Sequence, residues 1–103
     1  MHYSDEAVRA AYLAGMHAAQ ALIFERTSKV IKRHRGVQNE LRRLTKDEPR
    51  FDLELRAFLG RTYNLKAIAD YGTDPGPEVT VEQAQQALDT ATRFIACIEE
   101  LLT

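Results

Sequence analysis

One cysteine, no tryptophan and three prolines stand among the 103 residues, and each scarcity removes a class of explanation. Cys97 has no second cysteine to bridge or to share a metal with, and it sits in an apolar periodic segment. A buried thiol is expected there, not redox or nucleophilic chemistry. No apolar run approaches the roughly 20 residues needed to cross a bilayer. The start, MHYSDEAVRAAY, lacks the charged-then-apolar layout of a signal peptide, so a soluble cytoplasmic protein with no membrane contact is expected. There is no glycine-rich phosphate loop, no HExxH or paired-cysteine metal spacing and no GxSxG elbow, so no metal or cofactor is implied.

Charge is balanced overall, at a formal −1, but it is not evenly spread. Between Arg26 and Lys46 stand eight basic residues (Arg26, Lys29, Lys32, Arg33, Arg35, Arg42, Arg43 and Lys46) against the single acid Glu40. Of the chain's 14 basic and 15 acidic residues, six and fourteen remain elsewhere, a formal −8. Such segregation sets up a local field suited to a phosphate backbone or an acidic partner, and equally describes a solvated helix face.

The rest of the pattern is helical. Ser4 is placed as an N-cap, with Asp5 and Glu6 in the first turn. Val8, Ala11, Tyr12, Gly15, Ala19, Leu22 and Ile23 then share one face, and Leu13, Met16 and Phe24 form a second apolar strip. A helix apolar over so much of its circumference is expected at the centre of the molecule, with His17 as a neutral, hydrogen-bonded histidine inside it. Gly36 is the expected break in the basic region, before a short helix marked by Val37, Leu41 and Leu44. TKDEPR reads as a linker, and a third helix runs from Phe51 to near Tyr71 and Gly72. GTDPGPEV reads as a loop, after which Thr80 and Gln83 give a capping box. In the last helix, Val81, Ala84, Leu88, Ala91, Ile95, Ile98 and Leu102 alternate by three and four, the seam of left-handed helix packing. The length suits one domain, residues 1–103, and the expected architecture is an all-α antiparallel bundle of three long helices and one short one.

Four segments occur in an order that resembles a known family. They are AAYLAGMHAAQALI, with Tyr12 and His17; HRGV at His34 to Val37; LKAIADYG at Leu65 to Gly72; and the closing helix EQAQQALDTATRFIACIEELL. Together they resemble the HEPN (higher eukaryotes and prokaryotes nucleotide-binding) domains, in particular the small prokaryotic branch paired with minimal nucleotidyltransferases. The resemblance implies an antiparallel bundle that dimerises, RNA or nucleotide as ligand, and a role in a two-component pair of toxin-antitoxin type. In active branches the dimer is a metal-independent ribonuclease whose motif is an Arg followed four to six residues later by a His.

Two departures from the family pattern carry consequences. The usual first helix is lacking, so an open apolar face is expected, to be covered by a second copy or a partner protein. No Arg has a His at the required spacing: Arg9 to His17 and Arg26 to His34 are too wide, and the expected segment carries Lys66, Asp70 and Tyr71. A binding module is therefore favoured over a nuclease. The candidate RNA or nucleotide site is Lys32, Arg33, His34, Arg35, Arg42, Arg43, Lys66, Asp70 and Tyr71. Should catalysis occur, His34, Arg35 and Lys66 are the candidates for proton transfer and phosphate stabilisation. Tyr12, Leu88, Ile95 and Ile98 are the expected interface residues.

Overall fold

The computed structural model describes residues 3–72 and 76–103, so the Thr73–Pro75 part of the GTDPGPEV loop lies outside the described residues. Four helices account for nearly all of it: α1 (Tyr3–Thr27), α2 (His34–Thr45), α3 (Leu53–Tyr71) and α4 (Val81–Leu102). None of them is long and apolar enough to cross a membrane.

Each boundary has a local cause. The description of α1 begins at Tyr3, which sets Ser4 inside the first turn, buried, instead of at the cap. The helix stops at Ser28, whose φ of 61° is left-handed and whose N–H donates to Phe24 O at 2.8 Å. The chain then runs back along α1 as an irregular segment to Arg33. The break expected at Gly36 is thus eight residues early, and Gly36 lies in the first turn of α2. Its missing side chain serves close approach: a Cβ there would stand 2.8 Å from Ile31 Cγ2. Asp52 caps α3 by accepting from the Leu55 N–H at 3.0 Å. Thr80 and Gln83 form the expected capping box, with both reciprocal bonds at 3.0 Å.

The three long helices run up, down and up. Arg9 near the start of α1 reaches Asp70 near the end of α3, Arg93 late in α4 reaches Asp52 and Glu54 at the start of α3, and Arg26 donates to Leu101 O at 2.8 Å where α1 and α4 end together. The short α2 lies against α1 and α3. At the centre, Phe94 is fully buried, with the rings of Phe58 and Phe51 at 4.9 and 5.5 Å between centroids. Gly15 lets α1 come down on this cluster, because a Cβ there would collide with the Phe58 ring. Cys97 is buried as expected, and burial pushes its thiol pKa up.

The packing corrects three expectations. The buried face of α4 runs through Ala84, Ala87, Ala91, Phe94 and Ile98, so Leu88 and Ile95 are only half-buried at its edge and Val81 is exposed. Tyr12 and Ile98 are buried inside the chain, at 8% and 1% exposure, which rules them out as surface contacts. His17, expected inside the bundle, faces solvent, because the side chains of Val8, Ala11, Tyr12, Gly15 and Ala19 already fill the inner face of α1.

Candidate nucleic-acid interface

The returning segment between α1 and α2 is tied to α1 where Gln20 Nε2 donates to Ile31 O at 2.9 Å. Three residues later the chain enters α2 at His34, which is thereby set against the flank of α1 at Tyr12. The Tyr12 hydroxyl lies 2.8 Å from His34 Nδ1, and the imidazole stacks on Tyr63 of α3 at 4.1 Å and 19°. Tyr12 and Tyr63 complete the group at 5.8 Å. Three helices therefore meet at one half-buried histidine.

Electrostatics fixes how this histidine behaves. Burial, and then the neighbouring Arg35 charge, lower the His34 pKa, so the ring is neutral at pH 7. Burial, and then Tyr63, raise the Tyr12 phenol, which keeps its proton. A protonated phenol and a neutral ring share one hydrogen bond at Nδ1, which leaves Nε2 as the second polar atom of the ring. His34 is expected to titrate below the ordinary value of about 6.5, measurable from its ring carbon shift by NMR. Because the unfolded chain then binds the proton more readily, stability is full above pH ~6.5 and falls as the pH drops toward the folded value. His34→Gln removes that part of the pH dependence.

Lys66 and Asp70 occupy the next turns of α3. Lys66 Nζ lies 6.0 Å from the Tyr12 ring centroid, at the outer limit of a cation–π contact, and 2.6 Å from Asp70 Oδ2. Asp70 Oδ1 accepts from Arg9 Nε at 2.7 Å, while Arg9 Nη2 donates to Ala69 O at 3.0 Å. The Lys66 and Arg9 bonds hold the Asp70 carboxyl below the usual carboxylate range. Asp70 is therefore a clamp: it positions Lys66 and joins α1 to α3, and both of its oxygens are taken.

Around this centre the cations divide into two kinds. Lys32, Arg33 and Arg35 are exposed and, among the described residues, have no side-chain hydrogen bond or ion pair. Arg42 and Arg43 lie two turns further along α2 and are occupied locally, by Asn39 and Glu40. Tyr71 is 81% exposed and makes no side-chain hydrogen bond among the described residues. The candidate residues His34, Arg35, Lys66 and Asp70 are thus brought into one neighbourhood, with Lys32 and Arg33 on the approach to it, while Arg42 and Arg43 lie further along α2 and Tyr71, next to Asp70, points into solvent without a side-chain bond among the described residues. Tyr63 and Arg9, absent from the sequence-based set, belong to it. Tyr63 shares its helix face with Lys66 and Asp70 at spacings of three and four, and Arg9 stands three before Tyr12, which is the only local signal either carries.

The N-terminus of α2 adds backbone donors. Arg33 is its N-cap without a side-chain cap bond, and no acid lies in the first turn. Free N–H groups at that helix end and the three nearby cations without a side-chain partner among the described residues together suit a phosphate. Tyr63, 44% exposed, adds a ring face on which a base can stack. The arrangement gathers hydrogen-bond donors and unpaired positive charge around one histidine.

Comparison with known proteins agrees with this architecture. Residues 1–101 match the HEPN domain family. No curated protein and no solved structure shows significant similarity to the chain. Because the match spans nearly the whole sequence and the bundle is all-helical, the chain belongs to the HEPN domain family.

Proposed function

We propose that this HEPN domain is an RNA- or nucleotide-binding module that holds a phosphate at the start of α2, and that it works as one component of a toxin-antitoxin-type pair with a minimal nucleotidyltransferase. The observation that carries the binding half is His34, hydrogen-bonded to Tyr12 and stacked on Tyr63 at the head of a helix whose approach carries Lys32, Arg33 and Arg35. The pairing half rests on the resemblance of the four ordered segments to the small prokaryotic branch. Arg42 and Arg43 extend the same basic margin and would contact a longer strand.

The alternative is a metal-independent ribonuclease, favoured by a neutral imidazole lying in one cluster with Lys66 and Arg35. Labelled single-stranded RNA incubated with the protein without added metal separates the two. Retention without fragments supports the module. Fragments that vanish in His34→Gln support cleavage, and neither retention nor fragments at low salt would sink both.

A further inference from the structure

Helix α3 has a second working face. Tyr63, Lys66 and Asp70 serve the histidine cluster, while Phe58, Arg61 and Leu65, at the same spacings of three and four, turn the other way toward α4. Between them and the first half of α4, where Gln86, Ala87 and Thr90 face α3, lies a cavity of about 330 Å³. That volume admits a small organic molecule. Phe58, Leu65 and Ala87 give it an apolar floor.

Thr90 sets this cavity apart from a packing gap. The residue is 8% exposed, yet its hydroxyl makes no hydrogen bond among the described residues. The other threonines inside helices, Thr27, Thr45, Thr62 and Thr92, each donate to the carbonyl four residues earlier, at 2.7 to 3.0 Å. A buried hydroxyl is ordinarily paired, because leaving it without a partner costs free energy. No side-chain oxygen or nitrogen sealed from solvent is unpaired among the described residues, so the Thr90 hydroxyl opens onto the cavity it lines.

Charge gives the cavity a direction. Arg61, exposed at the rim, and Gln86 make no side-chain hydrogen bond or ion pair among the described residues. Helices α3 and α4 run antiparallel with Glu54 level with Arg93, which sets Arg61 level with Gln86. Thr90 then lies four residues beyond Gln86, about 6 Å at 1.5 Å per residue. Glu54 lines that far end, its carboxylate held by Arg93 at 2.6 Å. The one unpaired charge among the described lining residues is therefore positive, and a guanidinium beside a carboxamide offers donors to a carboxylate.

We propose that the cavity between α3 and α4 binds a small aromatic carboxylate carrying a hydroxyl opposite its acid group. The carboxylate sits between Arg61 and Gln86, the ring lies on Phe58, Leu65 and Ala87, and the hydroxyl exchanges a hydrogen bond with Thr90. A para-substituted ring spans the helical turn that separates the two polar ends. The reverse orientation would place the acid beside Glu54. This site is separate from the phosphate site proposed at the start of α2 and stands without it.

Titrating 4-hydroxybenzoate into the isotope-labelled full chain, followed by amide shifts in NMR, tests the site. The expected result is saturable shifts at Arg61, Leu65, Gln86 and Thr90 with a dissociation constant below ~1 mM, and none at His34. Thr90→Val is expected to weaken 4-hydroxybenzoate about 10-fold and to leave benzoate, which lacks the hydroxyl, unchanged. Arg61→Gln is expected to weaken both acids about 10-fold and to leave the weaker binding of 4-hydroxybenzamide unchanged. Because the Thr90 hydroxyl has no partner in the chain to lose, Thr90→Val keeps the thermal midpoint, which separates a lost contact from a lost fold. No saturation by ~10 mM, shifts confined to Lys32–Arg35, or a Thr90→Val loss equal for benzoate and 4-hydroxybenzoate would each overturn the proposal.

Discussion

Phe94→Ala is expected to lower stability by about 3–5 kcal/mol, the range for removing a fully buried phenylalanine, and so to shift the thermal midpoint down by roughly 15–30 °C in a domain of this size. The reason is geometric. Phe94 has no exposed surface, and the rings of Phe51 and Phe58 lean on it from the linker and from α3, so the space it vacates is bounded by side chains that are themselves pinned. Gly15→Ala acts on the same cluster from the other side. The added methyl would collide with the Phe58 ring, and overpacking of that kind costs about 1–3 kcal/mol. Because both changes work through Phe58, the double variant is expected to be less destabilised than the sum, as Phe58 moves into the space left by Phe94. Urea or thermal unfolding of the three variants checks this. Additive losses would show that α1 and α4 contact the cluster independently.

The same cluster shows why part of the fold was legible and part was not. The inner face of α1 is readable because its seven periodic positions share one side of the helix, and all seven are buried. Its second strip was not: a helix apolar on nearly every side does not say which side the bundle covers, and only Met16 of Leu13, Met16 and Phe24 is inside. In α4 the larger residues Leu88 and Ile95 suggested a seam, yet the packing turns the helix to bury Phe94 with small alanines around it. One aromatic that reaches the far helix outweighs two aliphatics at the edge. Gly36 looks like a break because glycine commonly ends helices, while the chain turns at Ser28 and uses the glycine to admit Ile31. The candidate site divides along the same line. Lys66 and Asp70 are a local pair at i, i+4, which spacing alone announces. The bond from Asp70 to Arg9, 61 residues away, and the stack of His34 on Tyr63 are long-range contacts that no local pattern encodes.

Neutralising Lys32, Arg33 and Arg35 together is expected to weaken retention of single-stranded RNA by about 100-fold at low salt and to flatten its dependence on salt. Each phosphate contact by a cation contributes about 0.7 to the slope of log affinity against log salt for single strands, so three lost contacts lower that slope by about 2. These three cations beside His34 hold no side-chain partner among the described residues, so removing them disturbs no ion pair and leaves the fold in place. Arg42 and Arg43 behave differently, since each is held by a neighbour on α2, and their replacement is expected to change retention less. Lys66→Ala differs again: it leaves Asp70 with Arg9 alone and loosens the turn of α3 beside Tyr12, so its effect combines lost charge with lost positioning of His34. Salt titrations of the triple variant, Arg42→Ala and Lys66→Ala on one RNA distinguish these roles. A triple variant that keeps the wild-type slope would place the bound phosphates elsewhere on the molecule, and a slope lowered only by Arg42→Ala would move the site to the far end of α2.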